Sequence, residues 1–229
     1  MYNDATMKRT KEEAALTRGA IVEAALACFD ARGIAQATLD QIAAGAGVTK
    51  GAVYHHFTGK GEILHEIRES VSLPLLDTAD TTLLARGARP ALERIEAFLM
   101  GVIDSIESCA RTRRALGVMQ FKCEYVGDLH GELASMRRKH RQLLEAFEGA
   151  YRQARHERSL RAGLTPDLAA LETSLFLNGL VRLWLLDGTG LRPRARDLIR
   201  SHMRTREAVN GTRARAPRPS RRKPAARRS

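Results

Sequence analysis

Three features of this 229-residue chain predict an all-α fold. Apolar residues return at three- and four-residue spacing through most of it, which is the helical period. Aromatics are only 5% of the sequence and β-branched runs are few, so little of it suits a pleated sheet. No segment alternates convincingly between apolar and polar residues, and there is no internal repeat.

The elements follow in order. Residues 11–32 set Ile21, Ala24, Ala25, Leu26 and Phe29 on one helical face, with Gly33 as the stop. Thr38 opens a short helix: its hydroxyl caps the first turn, and Gln41 completes a reciprocal capping box. That helix ends near Gly45 and Gly47, and Thr49 caps a second short one from Lys50 to His56. Two short helices joined by a glycine-containing turn form a helix-turn-helix. The small residues then have a cause. Ala43 sits where the two helices cross, Gly47 takes the left-handed turn, and Ile42, Val48 and Val53 point inward. Gly51 and Ala52 keep the front of the second helix low enough to lie against base edges.

From Lys60 onward, helices are predicted over 60–84, 91–108, 111–125, 129–159, 166–186 and 194–208. Breaks fall at Arg89-Pro90 and near Gly127-Asp128. Thr165-Pro166-Asp167 is a strong helix start, with a cap, proline at the first position and an acid next. Residues 175–186 are apolar nearly all round, which predicts burial against both the chain's own core and a second chain. The longest uncharged apolar runs fall short of a bilayer span, so no membrane segment is expected.

The net charge is +12, but residues 210–229 hold eight Arg or Lys and no acid, leaving +4 on the remainder. The high pI is largely a property of this Pro- and Arg-rich tail, which is expected to be disordered. Nucleic acid is a plausible partner, although charge alone does not locate the binding face. The three cysteines, Cys28, Cys109 and Cys123, are odd in number and widely spaced. They suit reduced, buried thiols in a cytoplasmic protein, and the N-terminus lacks the apolar centre of a secretory signal.

Catalytic and metal-binding readings fare poorly. His55 and His56 are helical neighbours about 100° apart and share no face. His65-Glu66 lacks the second histidine of a zinc protease motif, and GAGVTKG follows a helix rather than a strand. No nucleophile triad or carboxylate pair stands out, so neither an enzyme nor a cofactor or metal is expected. Two rivals stay open: a basic architectural nucleic-acid protein, suggested by the tail, and a small-molecule-binding protein without a gene target.

The string T-L-x-x-I-A-x-x-A-G-V-T-x-G-A-V-Y-x-H-F at residues 38–57, behind one amphipathic helix, resembles the TetR family of bacterial repressors. RTKEEAALTR at 9–18, ARTRRALGVMQFKCEYVGDL at 110–129 and NGLVRLWLL at 178–186 resemble its AcrR/TtgR-like branch, which represses multidrug efflux pumps. The resemblance implies a homodimeric repressor that binds double-stranded operator DNA and is released by a small lipophilic effector. It implies a helix-turn-helix domain at 1–58, an effector-binding and dimerisation domain at 59–209, and the tail at 210–229. The candidate DNA contacts are Thr38, Thr49, Lys50, Gly51, Ala52, Tyr54, His55 and Lys60, the last beside the next helix N-terminus. For the effector, the resemblance places Leu116, Met119, Gln120, Cys123, Ser174, Leu177, Asn178 and Arg182 beside the cavity.

Overall fold

The computed structural model describes residues 3–83, 89–124, 129–186 and 190–208; the tail and the expected break near Gly127-Asp128 lie outside them. The helices run α1 Asn3–Arg32, α2 Leu39–Ala46, α3 Lys50–His56, α4 Lys60–Leu83, α5 Ala91–Ser108, α6 Ala110–Phe121, α7 His130–His156, α8 Pro166–Leu186 and α9 Ala195–Arg204, with a 3₁₀ turn at Arg192–Arg194. Among the described residues, the only extended pairing is one antiparallel bridge between Leu160 and Glu207. The all-α expectation holds.

Most boundaries agree with the sequence pattern, and the differences have local causes. Helix α1 begins at Asn3 rather than near residue 11, because its polar first turns carry no apolar stripe for periodicity to detect. Helix α6 stops at Phe121 instead of running to 125, with Lys122 leaving helical geometry at φ −128°. Helix α7 ends at His156, two residues before Arg158 takes a left-handed φ of 58°. Helix α9 ends at Arg204 because the chain turns back. Arg161 N–H donates to the Arg206 carbonyl at 2.8 Å, and Ala208 N–H donates to that of Ser159 at 2.7 Å.

Two hydrophobic cores form. The first joins Ile21, Leu26 and Phe29 of α1 with Ile42, Val53 and Phe57, and takes in Ile63, Leu64 and Ile67 of α4 and Val118 of α6. The second packs α5, α7, α8 and α9 around Phe98, Phe147, Tyr151, Leu180, Trp184 and Ile199. Phe98 and Phe147 meet edge to face with centroids 5.6 Å apart, a favoured aromatic geometry. Half-buried Leu116 touches both cores. Helices α4 and α6 therefore link the two.

Helix α8 buries one side and exposes the other. Ala170, Thr173, Ser174, Leu177, Leu180, Val181 and Trp184 face the second core. Leu168, Leu171, Leu175, Leu183 and Leu186 are exposed, Leu175 at 66%. By length and composition α8 is apolar enough to cross a membrane. Its inward side is instead committed to the core, and Glu172 on its flank pairs with Arg206 at 2.9 Å.

A polar chain ties α7, α8 and α9 together inside the second core. Tyr151 Oη lies 2.7 Å from Thr173 Oγ1, which lies 3.0 Å from His202 Nε2, and Phe176 stacks on that imidazole at 4.0 Å. Burial, followed by the Arg206 cation, depresses the His202 pKa to about 3. The unfolded chain protonates this histidine below its ordinary pKa near 6.5, whereas the folded protein does not. Its contribution to stability is thus fully present above about pH 6.5 and is lost as pH falls toward 3. Urea midpoints measured between pH 7.5 and 5 should fall more steeply for the wild type than for His202→Gln, which cannot titrate. Parallel curves would assign the acid sensitivity to other groups.

Candidate nucleic-acid interface and effector region

The helix-turn-helix is built by local rules. Thr38 Oγ1 accepts from Gln41 N–H at 3.2 Å while Gln41 Oε1 accepts from Thr38 N–H at 3.1 Å, the reciprocal box expected from the sequence. Gly47 ends α2 at φ 68° and ψ 28°, a left-handed conformation nearly free of strain only for glycine. Gly45 marks the closest approach to α1, since a methyl there would stand 3.3 Å from Ala24 Cβ. Thr49 Oγ1 accepts from Ala52 N–H at 3.2 Å and starts α3. Ile42 and Val53 are wholly buried, and Val48 is half-buried against the same core.

What remains outside is the front of α3. Thr49, Lys50, Gly51, Tyr54 and His55 are exposed, Tyr54 at 55%, and Ala52 is half-buried. Lys50 Nζ pairs with Asp40 Oδ2 at 2.8 Å, and that hydrogen bond raises the lysine pKa. Thr38 is exposed at the start of α2. Lys60 behaves differently from its sequence reading. Its Nζ turns inward to the carbonyls of Ile34, Ala35 and Ala37 at 2.8, 3.2 and 2.9 Å. It ties the α1–α2 turn to α4, and in this position its ammonium is not free for a phosphate.

Residues that sequence reasoning passed over fix this unit. Arg18 Nη1 donates to the His56 carbonyl at 2.7 Å, its Nη2 pairs with Glu66 at 2.8 Å, and the guanidinium lies 4.1 Å over Phe57. One side chain thereby joins α1, the end of α3 and α4. Helix α6 is clasped to α1: Arg111 pairs with Glu23, Arg114 with Asp30 at 3.4 Å, and Lys122 with Asp30 Oδ1 at 2.6 Å. Helix α4 is anchored to α7 by Arg68, which is 4% exposed, forms an ion pair with the Glu132 carboxylate and donates to the Glu132 carbonyl at 3.0 Å. His65 lies 3.3 Å from Glu132, and Lys139 pairs with Glu69 at 2.9 Å. Spacing alone carried no signal for these pairs.

The eight effector candidates fall in several settings. Gln120 and Arg182 come together: Arg182 Nη1 reaches the Gln120 carbonyl and Oε1, both at 3.4 Å, with its guanidinium 4.9 Å from the Phe121 ring. Met119 and Cys123 pack on the first core. Ser174 and Leu177 are buried in the second core's wall, where the Ser174 hydroxyl has no hydrogen-bond partner. Asn178 departs from its sequence reading. It sits on the exposed side of α8 and donates to the Ser174 carbonyl at 2.7 Å. On a helix apolar all round, the period could not tell which way this amide faces. The three cysteines are in the thiol form and half-buried rather than buried. No group of His, Cys, Asp and Glu able to hold a metal occurs among the described residues.

Comparison with known proteins covers both halves of this architecture. Residues 21–67 match the model for bacterial regulatory proteins of the tetR family, and residues 90–206 match that for the MAATS-type transcriptional repressor C-terminal region. The chain is 34% identical to the HTH-type transcriptional regulator TtgR of Pseudomonas putida over 188 residues, which are 79% of this chain and 85% of that one. It is 30% identical to the HTH-type transcriptional regulator AcrR of Shigella flexneri over 198 residues, 84% and 90% of the two chains. Among solved structures, it resembles NalD, the secondary repressor of the MexAB-OprM multidrug efflux pump in Pseudomonas aeruginosa. That match has TM-score 0.76 and 26% identity over 86% of this chain and 98% of that one. It also resembles SmeT in its triclosan complex, at TM-score 0.74 and 27% identity over 85% and 93%. With a helix-turn-helix and a regulatory half that both match, this chain belongs to the tetR family of bacterial transcriptional regulators.

Proposed function

We propose that this protein is a cytoplasmic, homodimeric repressor of a multidrug efflux operon that leaves a palindromic operator when a lipophilic small molecule binds. The observation that carries the reading is the exposed front of α3, built by a capped turn and braced by Arg18 against α1 and α4. One α3 per protomer enters the major groove of each half-site. Lys50 and Tyr54 reach bases or phosphates; Thr38, Thr49 and His55 contact the backbone; Gly51 and Ala52 permit close approach. The efflux target is supported by the relatives' own descriptions as efflux-pump repressors. The effector lodges between α6 and α8, beside Leu116, Gln120, Ser174 and Leu177, and the unpartnered Ser174 hydroxyl gives a polar anchor in an apolar wall. Its binding shifts the population toward a state in which α6 and α4 misplace the recognition helices. No catalytic role is assigned to any residue.

The Lys50–Asp40 pair makes the DNA surface testable in both directions. Lys50→Ala should weaken operator binding about ten- to a hundredfold, as loss of a base contact does. Asp40→Asn should strengthen it, because the ammonium no longer exchanges a carboxylate for DNA. Fluorescence anisotropy at one fixed salt concentration reads both. Unchanged affinity in Lys50→Ala and in Tyr54→Phe would move the interface off α3.

A further inference from the structure

The clasp between α6 and α1 lies in the wall of two adjoining clefts, of about 560 and 360 Å³, that share Asp30, Phe121 and Lys122. The smaller cleft gathers four cations: Arg113, Arg114 and Lys122 from α6 and its end, and Arg192 from the turn before α9. Asp30 is the only acid among its described lining residues. Arg114 and Lys122 both spend charge on that single carboxylate, at 3.4 and 2.6 Å. Arg113 and Arg192 also bond to backbone carbonyls. Arg113 donates to the carbonyls of Ile106 and Glu107, and Arg192 donates to that of Trp184 while its guanidinium stacks 4.4 Å over the indole. Phe121, on the shared wall, is 37% exposed and has Arg182 packed against its ring.

We propose that this cleft, which opens beside α1 and shares no lining residue with the lipophilic site at Leu116, Gln120, Ser174 and Leu177, is a binding site for a small aromatic carboxylate. An excess of positive charge around one aromatic face recognises an anion attached to a flat ring. Guanidinium forks held by backbone carbonyls lose little freedom on binding it. The cleft volume is in the range that takes a ligand of one or two fused rings. The bound carboxylate competes with Asp30 for Arg114 and Lys122. Asp30 belongs to α1, the first helix of the DNA-binding unit, whereas both cations belong to α6 and its end. Anion binding therefore loosens one of the contacts through which α6 holds that unit, another being Arg111–Glu23. This consequence for DNA rests on the repressor reading; the binding itself does not.

The probe is 2-naphthoate, with neutral 2-naphthylmethanol as control, titrated calorimetrically into the full-length protein. One naphthoate per protomer should bind, and the alcohol at least about tenfold more weakly, as loss of a charge-assisted hydrogen bond implies. Arg114→Gln should weaken naphthoate by a similar factor. Arg114 is a surface side chain, so the variant should fold normally. Asp30→Asn removes the internal competitor and should tighten naphthoate several-fold, an effect a merely structural aspartate would not produce. Equal binding of acid and alcohol, or naphthoate affinity unchanged in both variants, overturns the site. Naphthoate should also lower retention of operator DNA; retention unchanged at saturating naphthoate overturns the coupling. Failure of the protein to hold any operator would instead count against the repressor reading, with the calorimetric result standing apart from it.

Discussion

Leu175→Arg should turn the protein into folded monomers and weaken operator binding by about two orders of magnitude or more. The substitution spares the protomer because Leu175 is 66% exposed there and contributes little to either core. It lies in a stripe with Leu168, Leu171, Leu183 and Leu186 of α8, and Leu198 of α9 is exposed as well, all of them at least 39%. An apolar strip this long on a helix suits burial against a twin related by a two-fold axis. Two copies of the arginine would then face each other without a partner, at a cost of several kcal/mol (roughly 3–5) each. The DNA effect follows from the lost linkage of two half-site contacts, which is worth about 10²–10⁴ in avidity. Light scattering gives the mass and circular dichroism checks the fold. A dimeric Leu175→Arg protein with wild-type operator affinity would place the interface elsewhere.

Glu132→Ala should be the most destabilising single change outside the apolar cores, by about 3 kcal/mol or more. Arg68 is 4% exposed and depends on Glu132 for both a carboxylate and a carbonyl contact. After truncation the nearest acid is Glu69, at 3.6 Å, itself engaged by Lys139. A buried guanidinium left short of its counter-charge carries a large desolvation penalty. For a protein of this size the loss corresponds to a fall in Tm of roughly 6–12 °C. Glu132→Gln, which keeps the shape and can still accept from Arg68, should fall between. A Tm for Glu132→Ala within about 2 °C of wild type would mean that water enters this junction and relieves the charge.

The parts of the molecule legible in the sequence are those set by neighbours along the chain. The capping box at Thr38 and Gln41, the cap at Thr49 and the left-handed Gly47 each depend on a few consecutive residues, and each was readable. The inward stripe of α1 was readable because burial on one face imposes a 3.6-residue period. The joints were not. Arg111–Glu23 and Lys122–Asp30 connect residues 88 and 92 positions apart, and no period records which surface charge another helix will meet. Lys60 looked like a free cation at a helix start. The three carbonyls that hold it become an acceptor set only when residues 34–37 turn beneath it. Asn178 failed for the opposite reason, since a helix apolar on every side offers no contrast from which to orient one amide. The surface proposed to face DNA is therefore a local property of the sequence, whereas its coupling to the rest of the protein is a tertiary one.

The central claim, a repressor that specific DNA holds and a small molecule releases, is tested most directly by one titration. Fluorescently labelled DNA flanking the protein's own gene is titrated with full-length protein at physiological salt, against a random duplex of equal length. The complex at half-saturation is then challenged with a panel of lipophilic antimicrobials. The flanking DNA should bind at least about a thousandfold more tightly than the random duplex, the lower end for specific regulators. At least one compound should release it in a saturable, dose-dependent way while leaving the weak binding to random DNA unchanged. Equal affinity for both duplexes, or specific binding that persists when a compound shown to occupy the protein is saturating, would contradict the account.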